Sequence, residues 1–502
     1  MLKAKSIFQK EISNKPYLFV NLVFAFFPFS FIFGTLIVNL NFLLFCCLGI
    51  FYLKSKILRT KYNFAIKIIF LFFLIVFLSS TLNAIKSQYF DGYDSDLNLL
   101  RFTKSILFFR FFLFLIITYL LNKYDILDFK YFFLTAAFAS ILVSLDIIYQ
   151  YIFGSNIIGL KNPAPAYVDT LAAFNIRNSG FFGDEYVAGA YIQRFAFFAI
   201  FSTILLFKNN NYTKFISTVC VICILGAGIL LAGNRMPLVL FIFGLFLIFL
   251  FNLKIKKILF ISLVILLILL KFIISSNENY KHAYHLLFYN TKSMMYLPTI
   301  KIWSQFTKVD EESPKIKNFF YKDRIVRFEP FHERIFFTAI DTWKFNKVLG
   351  NGIKSFREVC HKLREMPDIN LEERVFDAEG LLEGTAALAP EEVTYFNKKN
   401  RLCSNHPHNY YLEILTETGV VGLIIVSIIA LLFISFLFKN NKFIKQIRVE
   451  NFILLAAIIS LIIETIPLRS SGSLFTTNNA TYLILIGSII LSYKTILKIK
   501  IE

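Results

Sequence analysis

The chain has 502 residues, 57% of them hydrophobic and only 17% charged, with 62 Phe and a formal net charge of +20. Soluble globular proteins carry about 25% charged residues, so this composition, with a mean hydropathy of +0.62, excludes an ordinary soluble domain. The basic excess reads as membrane topology and contact with anionic lipid; nucleic-acid binding is a poor reading, because no basic stripe with interleaved aromatics lies on a soluble face.

The apolar residues fall in runs of roughly 18–25, the length that crosses about 30 Å of hydrocarbon as a helix. Spans are predicted near 17–33, 36–53, 63–82, 104–122, 129–153, 186–207, 214–232, 236–252, 257–275, 410–438, 451–468 and 474–493. Pro28 and Gly34 leave open a re-entrant hairpin in place of the first two. Lipid offers the backbone no hydrogen-bond partner, so the spans must be helices. The expected fold is therefore an all-α polytopic membrane protein of about 12 transmembrane helices. Residues 1–275 hold the first nine, 276–409 form a large loop, and 410–502 hold the last three.

Every second connection is basic and nearly free of acid. Lys3, Lys5, Lys10 and Lys15 precede the first span, Lys54, Lys56, Arg59 and Lys61 follow the second, and Lys439, Lys442, Lys445 and Arg448 follow the tenth. This positive-inside pattern predicts cytoplasmic termini and an outer location for residues 276–409. The N-terminal apolar run has no small-residue cleavage site and reads as a retained anchor.

Within the outer segment, residues 334–347 repeat apolar side chains at helical spacing, Gly350 and Gly352 close that helix, and residues 354–364 begin another. The acidic stretch 368–392 reads as a mobile lobe or lid. Cys46, Cys47, Cys220 and Cys223 lie inside spans and read as buried small apolar side chains. Cys360 and Cys403 lie outside; in an oxidising compartment they would close a disulfide loop, and otherwise remain two thiols.

One place reads as chemistry: His406-Pro407-His408-Asn409, followed after nine residues by Gly419-x-x-Gly422. Pro407 makes the approach rigid, and Asn409 is placed either to cap the tenth helix or to hold an imidazole tautomer. The motif reads equally as an interfacial cap beside a small-residue packing patch and as a catalyst. Arg235, in a short outer turn between two apolar spans, calls for an anion: a phosphate held by its guanidinium fork, or lipid headgroups. Arg177, Arg334 and Arg469 fall on the same predicted side, which suggests a lipid-pyrophosphate site. For Arg177, taken alone, a salt bridge or headgroup contact is the better reading. There is no nucleotide-binding glycine loop, no Gly-x-Ser-x-Gly and no zinc-ligand spacing around His282, His285, His332 or His361, so no cofactor and no metal are expected.

The spacing from His408-Asn409 to Gly419-x-x-Gly422 resembles the signature of the O-antigen ligase and polymerase superfamily. Gly233-Asn-Arg235, Arg334 ahead of Leu349-Gly-Asn-Gly352, Ser179-Gly-Phe-Phe-Gly183 and Pro467-Leu-Arg-Ser-Ser-Gly472 are similar to it too. The resemblance implies transfer of a glycan from undecaprenyl pyrophosphate at the periplasmic face of a Gram-negative inner membrane. The acceptor would be lipid A–core for a ligase, or another lipid-linked repeat for a polymerase. It makes His408 the essential histidine, with Arg235 and Arg334 on the pyrophosphate and His406, Asn409, Arg177 and Arg469 as substrate-binding candidates. Asn234 before Arg235, where serine is common, departs from the pattern. The competing class is a lipid-linked glycan transporter or flippase, which would need mid-membrane charges and related halves. Few charges lie inside the spans and no repeat is visible, which favours the enzyme.

Overall fold

The structure is a computed structural model that describes residues 17–90, 95–161, 177–250, 255–277, 280–281, 284, 330–362, 403–444, 449–467 and 469–499. Among these residues the ordered elements are helices, joined by turns and one isolated bridge, Ser155 to Lys161. In chain order they are α1 (Leu18–Ala25), α2 (Phe27–Ile32), α3 (Thr35–Leu53), α4 (Lys56–Arg59), α5 (Phe64–Phe90), α6 (Ser95–Lys123), α7 (Phe129–Phe153), α8 (Ala188–Leu206), α9 (Asn211–Leu231), α10 (Arg235–Leu250), α11 (Lys256–Ser276), α12 (Pro330–Phe345), α13 (Phe356–Lys362), α14 (Tyr410–Ile444), α15 (Val449–Glu464) and α16 (Thr477–Ile499).

Eight of the described helices are long and apolar enough to cross a membrane: α3, α5, α6, α7, α8, α9, α11 and α14. The protein is an all-α polytopic membrane protein. A helix is found at each predicted span, but the lengths differ. α10 and α15 have 16 residues each, and at 1.5 Å per residue they rise only about 24 Å. The first predicted span is kinked at Phe26, and the chain turns at Gly34, whose φ of +92° favours glycine.

The many phenylalanines form the interior. Phe24, Phe27, Phe45 and Phe114 are fully buried, with Phe45 and Phe114 centred 4.9 Å apart. Aromatic area and edge-to-face geometry supply packing where lipid offers little solvophobic drive between helices. α8 is the central strut: 83% of its span is buried, against 17% for α14, most of whose length faces outward. The intramembrane cysteines depart from expectation. Cys46 is buried, but Cys47 and Cys220 are exposed on the bundle surface, where lipid suits a thiol as well as the interior does.

Above the bundle, α12 and α13 pack on the start of α14. Ile335, Ala339, Phe356 and Cys360 form a small core with Cys403 and Leu412 against it. A disulfide joins Cys360 to Cys403, 43 residues apart. The acidic stretch 368–392 lies outside the described residues. Closing a loop of this length restricts the unfolded chain, so Cys403→Ser should lower stability by about 3–4 kcal/mol. Thermal unfolding of the detergent-solubilised protein, with and without reductant, measures this; an unchanged midpoint would show the bond to be dispensable.

Candidate functional site

The approach to α14 is tightly specified. His408 has a φ of +54°, an uncommon conformation for a side chain of this size. It reverses the chain so that Asn409 Oδ1 accepts from the Tyr411 and Leu412 amides at 3.0 and 3.1 Å, capping the helix. Asn409 Nδ2 donates to the carbonyls of Pro467 and Arg469 at 2.6 and 3.3 Å, and the Ser471 amide donates to the His408 carbonyl at 2.8 Å. The loop between α15 and α16 is thereby strapped to the histidine loop. Asn409 is both cap and tether, and a backbone outlier held by its surroundings at this point is the kind of feature that marks a site.

The two imidazoles face each other with centroids 4.3 Å apart, and His408 Nε2 lies 3.3 Å from Ser404 Oγ. Burial holds the His406 pKa below its ordinary value, with the Arg357 charge adding to the effect and a hydrogen bond to the Ser471 backbone opposing it. The unfolded chain therefore binds the proton more readily than the folded one. The stability His406 contributes as a neutral ring is present above its unfolded pKa of about 6.5 and is lost as pH falls through the lower folded value. Thermal midpoints should fall on acidification below about pH 6.5, less so in His406→Gln; equal slopes would sink this account.

Beneath the loop sits Glu464, fully buried at the end of α15. Its carboxylate takes four donors: Arg194 Nη2 at 2.7 Å, Arg194 Nε at 3.2 Å, Arg469 Nη1 at 2.9 Å and the Tyr410 hydroxyl at 2.9 Å. Arg194 also donates to Asn479 Oδ1 at 2.7 Å and stacks over the Tyr482 ring. α8, α14, α15 and α16 are thus tied at one point directly under His408. A buried carboxylate needs such saturation to offset its desolvation. Arg469 is itself buried and holds this carboxylate, so its place here is that of a tie.

α14 is not continuous. Gly419, at φ +66° and ψ −166°, breaks it. The Leu349-Gly-Asn-Gly352 turn enters the gap: the Asn351 and Gly352 amides donate to the Thr416 and Glu417 carbonyls at 2.9 Å each, while Val420 and Val421 donate to Lys347 and Val348 at 3.0 and 3.2 Å. Asn351 Nδ2 also reaches the Thr342 and Thr416 carbonyls, and Ser79 Oγ donates to the Glu417 carbonyl. Gly419 therefore admits a loop backbone, where the sequence suggested a neighbouring helix. On the same helix face Glu413 and Glu417 are buried. Ser473 Oγ and the Leu474 amide bind Glu413 at 2.5 and 2.6 Å. The sequence reading missed both carboxylates and the Arg194–Glu464 pair, although acidic residues four apart in an apolar helix are signal enough.

Arg177 and Arg235 share a second corner. Asn234 accepts from the Gly189 amide at 3.2 Å and donates to the Tyr186 carbonyl at 3.1 Å, which seats the start of α10 on the start of α8. The Arg177 guanidinium lies 5.9 Å from the Tyr186 ring centre, and Arg235 acts electrostatically on Tyr284. From Gly189 to Arg194 is about 7–8 Å along the helix. The first turns of α8 thus connect the Arg235 corner to the Glu464 tie, at one end of the bundle. Arg334 is the fifth residue of α12, one before Ile335 of the small core that Leu412 touches.

A family model described as O-antigen ligase matches residues 218–427, a stretch that includes Arg235, Arg334, His408, Gly419 and Gly422. No curated protein matches the chain.

Proposed function

Because the chain belongs to the O-antigen ligase superfamily, we propose that it moves a glycan from undecaprenyl pyrophosphate to a lipid A–core acceptor. The work takes place at the periplasmic face of the inner membrane, with about twelve crossings and cytoplasmic termini, a reading the alternating basic loops support. The observation that carries this reading is the histidine loop, locked at a strained φ over the four-donor Glu464 tie, at the bundle end that also holds Arg235 and Arg177.

His408 orients the acceptor hydroxyl and takes its proton as the oxygen attacks the anomeric carbon. The bond from that carbon to the pyrophosphate oxygen breaks, and the polyprenyl pyrophosphate leaves. Arg235 and Arg334 stabilise the charge that grows on the leaving group, and Arg177 extends the same basic corner. Asn409 and Arg469 keep the histidine loop in place, and His406 packs against the reacting imidazole. The donor is already activated, so neither a nucleotide nor a metal is required.

Deletion of the gene tests the reading. A ligase mutant makes lipopolysaccharide of bare core and accumulates lipid-linked polymer; a mutant of a repeat-unit polymerase makes core bearing one repeat. Unchanged lipopolysaccharide and no accumulated lipid-linked glycan would reject both, and accumulation confined to the cytoplasmic leaflet would favour a flippase.

A further inference from the structure

α7 carries two polar side chains that the transfer reaction leaves without a task. Asp146 and Gln150 sit one turn apart on one helix face, and both are buried, at 0% and 1% exposed. A carboxylate or amide inside a helix apolar enough to cross a membrane is costly to keep and points to a role. Here each side chain grips a loop. Asp146 Oδ1 accepts from the Ile157 amide at 3.0 Å, and Gln150 Nε2 donates to the Leu160 carbonyl at 3.4 Å. Gln150 Oε1 accepts from the Gly180 amide at 2.7 Å. Gly180, at a φ of +56°, lies so close to α7 that a Cβ there would fall 2.8 Å from Asp146 Oδ2.

The second of these loops carries Arg177. Asn178, Ser179 and Gly180 are buried in succession, while Arg177 beside them is exposed. Asn178 Nδ2 donates at 2.7 Å to the carbonyl of Leu231, the last residue of α9. In the turn that follows α9, Asn234 binds Tyr186 and Gly189 in return. Each arginine of this corner thus adjoins an asparagine that lashes its own segment to the other one. Asn178 ties the Arg177 loop to the end of α9, and Asn234 ties the Arg235 turn to the start of α8. α9 in turn lies directly on α7, where a Cβ on Gly228 would fall 2.8 Å from the Ser144 Cα. The two arginine segments form one frame, and α7 is its base.

We infer that Asp146 and Gln150 are positioning residues for the donor pyrophosphate: they fix the Arg177 loop against α7 and so hold the Arg177 guanidinium on the corner that bears Arg235. This rests on the transfer reaction proposed above, in which that corner meets the pyrophosphate. Guanidinium forks recognise phosphate oxygens through directed hydrogen bonds, so two of them serve one pyrophosphate only at a set separation. An arginine on a loose loop must be ordered when the ligand arrives, which weakens binding, and a loop already fixed avoids that loss. Asp146 and Gln150 are themselves buried, so they act through the loop backbone and not on the substrate.

The test measures transfer kinetics and thermal unfolding of the full-length protein in phosphatidylcholine vesicles, with extracted lipid-linked glycan as donor and core lipopolysaccharide as acceptor. Gln150→Leu and Asp146→Leu should raise the donor KM about five- to tenfold and leave the acceptor KM within about twofold. Asp146→Asn keeps an acceptor for the Ile157 amide and should stay within about twofold of wild type. Asn178→Ala, which cuts the tie from the Arg177 loop to α9, should shift the donor KM in the same direction. Val143→Ala opens a cavity at a fully buried site on α7; it should lower the unfolding midpoint without moving the donor KM. In an Arg177→Gln background, Gln150→Leu should change the donor KM by less than about twofold, because its effect passes through Arg177. Where Gln150→Leu does not fold, Asn178→Ala in that background reads the same coupling. A wild-type donor KM in both Gln150→Leu and Asn178→Ala overturns the inference. So does a donor KM raised as much in Val143→Ala, or an effect of Gln150→Leu that multiplies with that of Arg177→Gln. Wild type that transfers no glycan, or His408→Asn that transfers as well as wild type, would instead sink the underlying reaction. An active, His408-dependent enzyme whose donor KM ignores Arg177→Gln sinks only the positioning role.

Discussion

Replacing His408 is expected to lower glycan transfer by about 10²–10⁴-fold, the usual worth of a positioned general base, in a protein that still folds. The fold uses the backbone of this residue: its carbonyl accepts from Ser471 and its φ is +54°. The cap belongs to its neighbour Asn409. Asparagine is among the residues that best tolerate a left-handed backbone, so His408→Asn removes the imidazole with least strain, while His408→Ala adds about 1 kcal/mol of backbone cost. The measurement is initial transfer rate with thermal unfolding alongside. Loss of activity at an unchanged midpoint supports a chemical role. Activity above about a tenth of wild type in His408→Asn would leave the imidazole without the role of base.

The direction of the effect on individual constants is informative. If His408 acts only as the proton leaves the acceptor, kcat and kcat/KM fall together; if it mainly binds the hydroxyl, the acceptor KM rises while kcat holds. His406→Gln should act more weakly than His408→Asn, because its ring packs on His408 and is hydrogen-bonded to the Ser471 backbone.

The membrane class and the helix positions were legible because long apolar runs have a single stable outcome in lipid. The His408 spacing was legible because it is a local pattern, and Arg235 because an isolated charge between two apolar runs stands out. The roles of Asn409, Arg469 and Gly419 were not, since each depends on contacts across large sequence distances. Asn409 reaches residues 467 and 469, and Arg469 finds its carboxylate at the end of a helix that meets α8 only in the fold. The break at Gly419 is invisible in an apolar helical sequence until the 349–352 turn is seen inside it.

Gly419→Val is the second substitution with a large expected effect, here on folding. A Cβ at this position would lie 2.2 Å from the Val348 carbonyl oxygen and 2.6 Å from the Gly350 amide nitrogen, both main-chain atoms with no rotamer to move to. The positive φ adds strain for any side chain, most of all a β-branched one. Gly350 presents the same contact from the other side, its Cβ falling 2.4 Å from the Glu417 carbonyl carbon. Separating the two backbones would break the four hydrogen bonds that splice the turn into α14, leaving buried amides and carbonyls unpaired. The expected loss is of the order of 4 kcal/mol or more, enough to deplete the folded protein from the membrane. Because both glycines serve one contact, Gly350→Ala with Gly419→Ala should cost clearly less than the two single changes added together. Gly487→Ala, with open space around its Cβ and a helical backbone, is the control and should be neutral or slightly stabilising. A Gly419→Val protein that reaches the membrane with a normal unfolding midpoint would show that α14 closes over the gap and that the turn is free to leave it.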